Sequence, residues 1–438
     1  MNKALDTDVL ILGAGMAGLT AARSLAQRGL RVIVVEARER AGGRIFSEPV
    51  EGGGIVELGA EFVHGRAAEL WSLLSEAGVE AVERDGTMLS EEWGGGLAED
   101  DDEEDPFAAL EALTGYAGED MSFAAWLAQS DVREEDRAAL LNFVEGFNAA
   151  DAKRIGIRAL GVQQKAEDEI EGMRAWHVRG GYAQLAEYLA ARVKEAGVEI
   201  RLGTEVLALE WSAGDVCVKT SHGDLRAKQC IVTLPLGVLQ RVNLGGISIQ
   251  PEPQAIAQAR RMEMGHALRF TMVWRERWWE RSQAADKEAL QQMSFFFTPQ
   301  RMPRVWWVAR PEIEPLPTLT GWVGGPKTKE LDGKSAEELG EQACVELAEV
   351  FAIDTEVVRA SLVKTYLHGW SSDPYSQGAY SYVPADALDA PSRMTEPELD
   401  TLYFAGEHTD VTGHWGTVHA AIRSGLRVAE QVLKNETA

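Results

Sequence analysis

Apolar and polar positions repeat with two different periods along the chain, and each change of period marks an element. Residues 9–12 form a continuous apolar run, as in a strand buried on both faces, and 16–28 carry apolar side chains at helical spacing until Gly29 stops them. A second apolar run rich in β-branched residues occupies 30–35 and ends in Glu36. Leu185, Leu189 and Val193 space a helix over 182–194 with Gly197 behind it, and 198–202, 206–211 and 216–220 read as short strands before the run 231–234 ends at Pro235. Near the other end 402–405 is a strand, and Val418, Ala421, Ile422, Gly425, Ala429 and Val432 share one face of a helix over 417–433. No internal repeat is evident, and no run reaches the roughly eighteen apolar residues that a membrane-crossing helix requires.

With 438 residues, 45% of them hydrophobic and 26% charged, the chain is ample for a sizeable core and two domains, and it fits neither a collagen-like nor a disordered polymer. Lys and Arg number 43 against 69 Asp and Glu, a formal charge of −26. That balance disfavours nucleic acid and anionic membranes as partners and favours small cationic molecules, although acidity also serves solubility. Cys217, Cys230 and Cys344 are far apart and form no C-x-x-C, so neither a disulfide framework nor a thiolate metal site is expected. Asp6 and Asp8 stand where a secretory signal would turn apolar, and a reducing, cytoplasmic setting is the expectation.

Chemistry is first visible in the turn between the opening strand and helix. Gly13, Gly15 and Gly18 have the G-x-G-x-x-G spacing, and Glu36 follows eighteen residues after the last of them. In this setting Gly13 permits the tight turn, Gly15 lets a pyrophosphate reach the backbone, Gly18 allows helix and strand to pack closely, and Glu36 accepts from an adenosine ribose hydroxyl. The turn alone serves NAD and FAD equally. Arg38 comes next, and a second glycine pair, Gly42 and Gly43, precedes Arg44; this suits a backbone that passes close to phosphate or flavin and a cation that pairs with its charge. The extended segment 55–65 then delivers Glu61 and His64 to the same crevice.

Other features are read more plainly. The seven carboxylates of 99–105 suit a solvated loop better than a calcium or polyamine dock, because like charges in series repel. Trp278, Trp279, Trp306 and Trp307 either line a tunnel or fill the core; adjacent rings in a strand point to opposite faces, and the core is the expected place. The spacings of His408, His414 and His419 do not put all three on one helical face, and no metal is expected.

The string 9–44, the segment Glu57-Leu58-Gly59-Ala60-Glu61-Phe62-Val63-His64-Gly65 and the late Phe404-Ala405-Gly406-Glu407-His408-Thr409 together resemble the flavin amine oxidase family, which includes monoamine oxidases, polyamine oxidases and histone lysine demethylases. Gly180-Gly181-Tyr182, the run 231–239 and the segment 372–383 extend the resemblance over most of the chain, with 81–170 matched least. It implies an α/β fold in which a Rossmann-like FAD-binding domain of the glutathione reductase-like class is interleaved with a mixed α+β substrate domain. On that division 1–75, 172–247 and 396–438 hold FAD, and 76–171 and 248–395 hold the substrate. The implied reaction removes two electrons from the C–N bond of a small cationic amine, a polyamine or a monoamine, and leaves an imine that hydrolyses to a carbonyl. Dioxygen is the implied acceptor, giving hydrogen peroxide.

Residue by residue, the resemblance sets Val206 against the adenine, Glu407 on the ribityl chain, Val418 beside the flavin ring, and Trp370 and Tyr380 over it. The helix that starts near Thr417 turns its positive end to the ring's N1 edge. Thr417 takes the second aromatic position of other members, as in the polyamine and demethylase branches. Ala379 stands where monoamine oxidases carry the cysteine that links the flavin, so FAD is expected to be noncovalent. Arg269 stands where the family pattern has a lysine that holds a water near N5, and a guanidinium is bulkier and of different geometry. His64 or Glu61 is expected to orient the amine or take its ammonium proton, and Glu145 to receive a distal ammonium. Two rival expectations are a flavin desaturase or oxidase acting on an apolar non-amine substrate, and a noncatalytic flavoprotein serving as a binding module.

Overall fold

The computed structural model describes residues 4–436 except 52, 94, 100–107, 310, 312 and 313, so residues 100–105 of the acidic run lie outside the described residues. Alternation along Thr7–Leu12 sets the first sheet. Val9 and Ile11 enter one core and Leu10 and Leu12 another, on the opposite face, and all four are fully buried. Val32–Val35 and Gly223–Val232 flank this strand in parallel. Glu199–Arg201 extends the sheet beyond Val32–Val35, and Leu402–Phe404 joins Gly223–Val232 in parallel. The antiparallel strands Asp215–Thr220 and Val206–Ser212 carry the sheet to its edge at Ser248–Gln250. The division expected at residue 247 therefore falls one strand short: Ser248–Gln250 belongs to this sheet, where fully buried Ile249 completes its core.

Three helices, Met16–Ala26, Ala183–Glu195 and Val418–Glu436, pack into the core on one face of the sheet. The last approaches the first closely because Gly425 has no side chain; a Cβ there would stand 2.4 Å from the Ala17 carbonyl oxygen.

A second sheet of seven strands runs in the order Leu362–Leu367, Ala267–Trp274, Thr318–Gly324, Val305–Val308, Met293–Phe297, Thr87–Glu91 and Leu97–Glu99. Its pleat separates two tasks. Phe270, Phe296 and Trp306 face a core closed by the helix Ala336–Val350, whereas Arg269, Phe295, Phe297 and Trp307, one position along, face a cavity. Trp306 stacks on Phe296 at 5.7 Å, so this tryptophan pair divides between core and cavity as alternation requires. Trp278 and Trp279 do not lie in a strand; they form a 3-10 turn, Trp278–Arg281, with both rings 1% exposed in the core.

The helices Phe123–Gln129, Glu134–Phe147 and Ile157–Glu169 gather around a smaller core beside the cavity. A short three-stranded sheet, Phe62–His64, Ala175–Val178 and Ala81–Glu83, sets Phe62 opposite His177 and His64 opposite Ala175. Among the described residues no helix is long and apolar enough to cross a membrane.

Candidate active site

One continuous cavity of about 1460 Å³ extends from the glycine turn of the first sheet to the face of the second. At the turn, Gly13 holds φ at +108°, and a Cβ at Gly18 would stand 2.0 Å from the Gly13 carbonyl oxygen. A Cβ at Gly15 would meet nothing within 4 Å, so here the backbone faces open cavity. Gly15 also caps Met16–Ala26 without a side-chain hydrogen bond, which leaves the helix's first amides and its positive dipole end for a ligand. Glu36 Oε2 accepts from Ala14 N and Oε1 from Arg38 N, both at 2.9 Å, and the carboxylate is thereby fixed on the cavity wall. A dinucleotide's pyrophosphate and ribose fit these groups.

Arg38 lines the cavity, but its guanidinium is occupied by the protein. It donates to Asp373 Oδ1 at 2.7 Å and to Ser376 Oγ at 2.9 Å, tying the end of the second strand to the segment that carries Trp370. Burial raises the Asp373 carboxyl, yet the hydrogen bonds from His368 and Arg38 outweigh it and hold the group well below the usual carboxylate range. The Gly42–Gly43 turn is pinned by Arg40, which donates to the carbonyls of Gly43 and Ile45 at 2.9 Å and is pushed down by burial to about 10. Arg44 donates to Glu407 Oε1 at 2.9 Å and to the Ala379 carbonyl at 2.8 Å. Glu407 Oε2 in turn accepts from Ser381 Oγ at 2.6 Å and from Gly416 N at 2.8 Å. Burial raises this carboxyl, but the charge of Arg44 and the donors around it win, so it stays ionised and draws four segments together. Val206 and Val418, at the starts of their strand and helix, both line the cavity.

Toward the second sheet the cavity becomes aromatic. Trp370 Nε1 donates to the Leu58 carbonyl at 2.6 Å and the Tyr380 hydroxyl to the Phe147 carbonyl at 2.6 Å, so backbone acceptors lock both rings in place. Burial pushes the Tyr380 phenol up, and it serves as a wall rather than an acid. Thr417 also lines the cavity; its hydroxyl donates to the His414 carbonyl at 2.8 Å and accepts from Ala420 N at 3.1 Å, capping the last helix.

Arg269, 5% exposed, donates to the Gly59 carbonyl at 2.9 Å and to Glu61 Oε2 at 2.6 Å, with the Trp307 ring centroid 5.5 Å away. Glu61 also accepts from Trp307 Nε1 at 3.1 Å and stands 3.3 Å from His177 Nδ1. Burial raises the Glu61 carboxyl, but Arg269, His177 and Arg84 outweigh it and hold it low. The expectation that Glu61 meets the amine is corrected by this geometry: its carboxylate is committed to Arg269 and Trp307.

His64 lines the cavity, with its ring edge-on to Phe62 and to Phe147 at 5.8 Å. Burial pushes it down to about 4, so it is neutral near pH 7 and too weak a base to take an ammonium proton; what remains to it is hydrogen bonding. Glu145 does not line the cavity. Its carboxylate lies 3.8 Å from Lys327 Nζ, which corrects the expectation that it receives a distal ammonium.

Among the described residues no group of three or more His, Cys, Asp or Glu is placed to hold a metal; His414 and His419 stack edge-on at 4.8 Å, and His414 Nδ1 faces Thr412 and Arg423. The sequence pattern does not single out His177, Arg40 or Asp373. Asp373 lay inside the quoted 372–383 segment, but His177 reaches Glu61 only through the pairing of Ala175–Val178 with Phe62–His64, and no local pattern announces that pairing.

The profile of the family described as flavin containing amine oxidoreductase matches residues 16–433. Pseudooxynicotine dehydrogenase of Pseudomonas sp is 24% identical over 468 residues, covering 98% of this chain and 86% of that protein. Putrescine oxidase of Kocuria rosea is 27% identical over 392 residues, covering 76% of this chain and 77% of its own. The solved cyclohexylamine oxidase of Brevibacterium oxydans superposes with a TM-score of 0.82 at 21% identity, covering 99% of this chain and all of that one, and so shares its fold. The profile matched across nearly the whole chain decides the assignment: this protein belongs to the flavin-containing amine oxidoreductases and is a flavin-dependent enzyme.

Proposed function

We propose that the chain oxidises a primary or secondary amine with FAD held noncovalently along the cavity. The observation that carries this reading is the continuity of the cavity from a dinucleotide turn, open at Gly15, to a chamber walled by Trp370 and Tyr380. Glu36 and the amides that follow Gly15 would hold the ADP half, with Val206 against the adenine; Arg44 and the Gly42–Gly43 turn would follow the chain toward the ring, and Glu407 and Val418 would face its reactive end. None of Cys217, Cys230 and Cys344 lines the cavity, which supports a flavin with no thioether to the protein.

The flavin supplies a two-electron oxidation, in which the amine's C–N bond becomes C=N with loss of two protons, water releases the carbonyl compound, and dioxygen returned as hydrogen peroxide closes the cycle. The protein's part is positioning and desolvation. Trp370 and Tyr380 exclude water and confine the amine's α-carbon. The buried Arg84, over the Phe295 ring behind the cavity wall, disfavours an ammonium, so the amine enters or becomes neutral, with its lone pair free. His64, itself neutral, can orient that amine by a hydrogen bond. The pairing of Arg269 with Glu61 favours a second reading for the acceptor: a guanidinium whose charge is already matched attracts developing negative charge weakly, which suits an acceptor other than dioxygen.

Anaerobic titration of the purified yellow protein with a polyamine, a simple monoamine and several amino acids tests the first claim. Bleaching by an amine supports it, and no bleaching by any of them refutes it. Admitting air and measuring peroxide per flavin separates the two acceptors.

A further inference from the structure

The stretch of the cavity that lies against Asn142 of the helix Glu134–Phe147 carries the wrong sign of charge for a diamine. Lys327 Nζ donates to Asn142 Oδ1 at 2.6 Å, and Arg304 Nη1 donates to the same oxygen. Asn142 and Arg304 both line the cavity, beside Phe143 and Phe297. Glu145 stands 3.8 Å from Lys327, and Glu330 answers it from further off. Among the described residues no carboxylate comes within ion-pairing distance of Arg304, and its buried Nε has no hydrogen-bond partner. Both lone pairs of the Asn142 oxygen are taken, and among the described residues no other acceptor bonds the Arg304 guanidinium. Arg304 is held by one hydrogen bond and can turn its paired N–H edge to a ligand.

Of the other ionisable groups on the cavity wall, Glu167 stands on a different helix, Ile157–Glu169, with its carboxyl pushed up by burial to about 7 and one oxygen without a partner, and the remaining cations do not offset the excess. Arg84 lies over the Phe295 ring at 3.5 Å and donates to the Ser294 carbonyl, while Arg269 is matched by Glu61. In a protein of net charge −26, this chamber is locally cationic. Its scale follows from the helix: Asn142 and Phe147, whose carbonyl receives the Tyr380 hydroxyl, are five residues apart, about 7–8 Å along the axis. That is the length of a short alkyl chain.

Resting on the amine-oxidising reading of the cavity, we propose that the substrate is an amine whose remote end is a carboxylate, held by Arg304 with Lys327 behind it. A planar fork of donors recognises a carboxylate by paired hydrogen bonds and repels an ammonium.

The holoenzyme is titrated anaerobically with ε-aminocaproate, cadaverine and hexylamine, which share a terminal amine on an unbranched chain and end in an anion, a cation and a methyl group. Flavin bleaching by ε-aminocaproate is expected at concentrations about tenfold or more below those needed for cadaverine. Arg304→Gln should weaken ε-aminocaproate about tenfold relative to hexylamine, and Arg304→Lys should restore part of the difference. Calorimetry with hexanoate, which has no amine to oxidise, reads the anion site without turnover; it should bind the wild type and lose about tenfold in Arg304→Gln. If Arg304→Gln does not fold, the wild-type series and Arg304→Lys still decide. The proposal is overturned if cadaverine or hexylamine is preferred to ε-aminocaproate, or if hexanoate binds the wild type and Arg304→Gln equally. Bleaching by none of the three, with hexanoate still held through Arg304, overturns the amine reading and this substrate together and leaves an anion site alone.

Discussion

Replacing Glu61 by Gln isolates the part this carboxylate plays. It is the sole carboxylate within 4 Å of the Arg269 guanidinium among the described residues, at 2.6 Å, and Arg269 is 5% exposed with its Nε unpartnered. Glu61→Gln keeps the shape and an acceptor oxygen but leaves a guanidinium that cannot shed its proton buried without a counter-charge. Breaking a buried pair in this way costs about 3–5 kcal/mol. At roughly 2–4 °C per kcal/mol for domains of 150–250 residues, the thermal midpoint should fall by something on the order of 10 °C, and by less if the larger chain unfolds as one unit. The double variant Glu61→Gln/Arg269→Gln removes both charges and lets two amides bond to each other, so it should recover more than half of that loss. Because Arg269 and its neighbours hold the Glu61 carboxyl low, the carboxylate's contribution is present above the unfolded value of about 4.3 and fades as pH falls through the folded one; the gap between wild type and Glu61→Gln should narrow in acid. Differential scanning fluorimetry of the wild type, Glu61→Gln, Arg269→Gln and the double variant over pH measures this. If Glu61→Gln melts with the wild type, or the double variant loses as much as both singles together, Glu61 is not the counter-charge of Arg269 and its assignment to the amine is open again.

The remaining expectations concern the cofactor, acid and substrate protonation. Gly18→Ala would drive a Cβ to 2.0 Å from the Gly13 carbonyl oxygen and should yield unstable protein with little flavin; Gly15→Ala, with nothing within 4 Å, should fold normally and yet bind flavin at least about tenfold more weakly, because the new methyl occupies ligand space. Absorbance at the flavin band per mole of protein compares them, and equal flavin content in Gly15→Ala would refute the placement. His64, His177 and His408 are each pushed by burial from about 6.5 to about 4, so through them the unfolded chain binds more protons between those values and their contribution to stability is lost as pH falls from about 6.5 to 4; Glu57 and Glu167, pushed up by burial to about 7, act in the opposite sense, and pH-dependent denaturation should show the more numerous histidines as a net loss in acid. The rate of anaerobic flavin reduction should climb about tenfold per pH unit while the amine remains mostly ammonium, and a flat profile would mean that the charged form reacts.

How far the sequence carries depends on the range of the interaction that fixes each element. The Gly13–Gly18 turn, the strand Val32–Val35 and the helix Val418–Glu436 are set by contacts a few residues apart and by runs that can only be buried, and they are legible to within two or three residues. Ser248–Gln250 is not legible because a three-residue edge strand has no periodicity of its own; Ile249 finds its place only against Val206–Ser212. Trp278 and Trp279 were read with strand alternation, whereas a 3-10 turn buries both rings together.

The site shows the same division more sharply. Glu61, just before the strand Phe62–His64, and His64 at its end are conspicuous for their chemistry, and the sequence says that they reach the crevice without saying which groups meet them there. What meets Glu61 comes from 116 residues away in His177, 208 in Arg269 and 246 in Trp307, three strands whose register is set by the pleats of two different sheets. Those partners turn a candidate ligand for an amine into the counter-charge of a guanidinium. In the same way Lys327 takes the carboxylate of Glu145, and among the described residues Arg304 is left without one at ion-pairing distance. The acidity of the whole chain points to a cationic ligand, but net charge describes the surface that a molecule approaches; the sign at each place inside the cavity is decided by which few ions remain unmatched there, and beside Asn142 that ion is the cation Arg304.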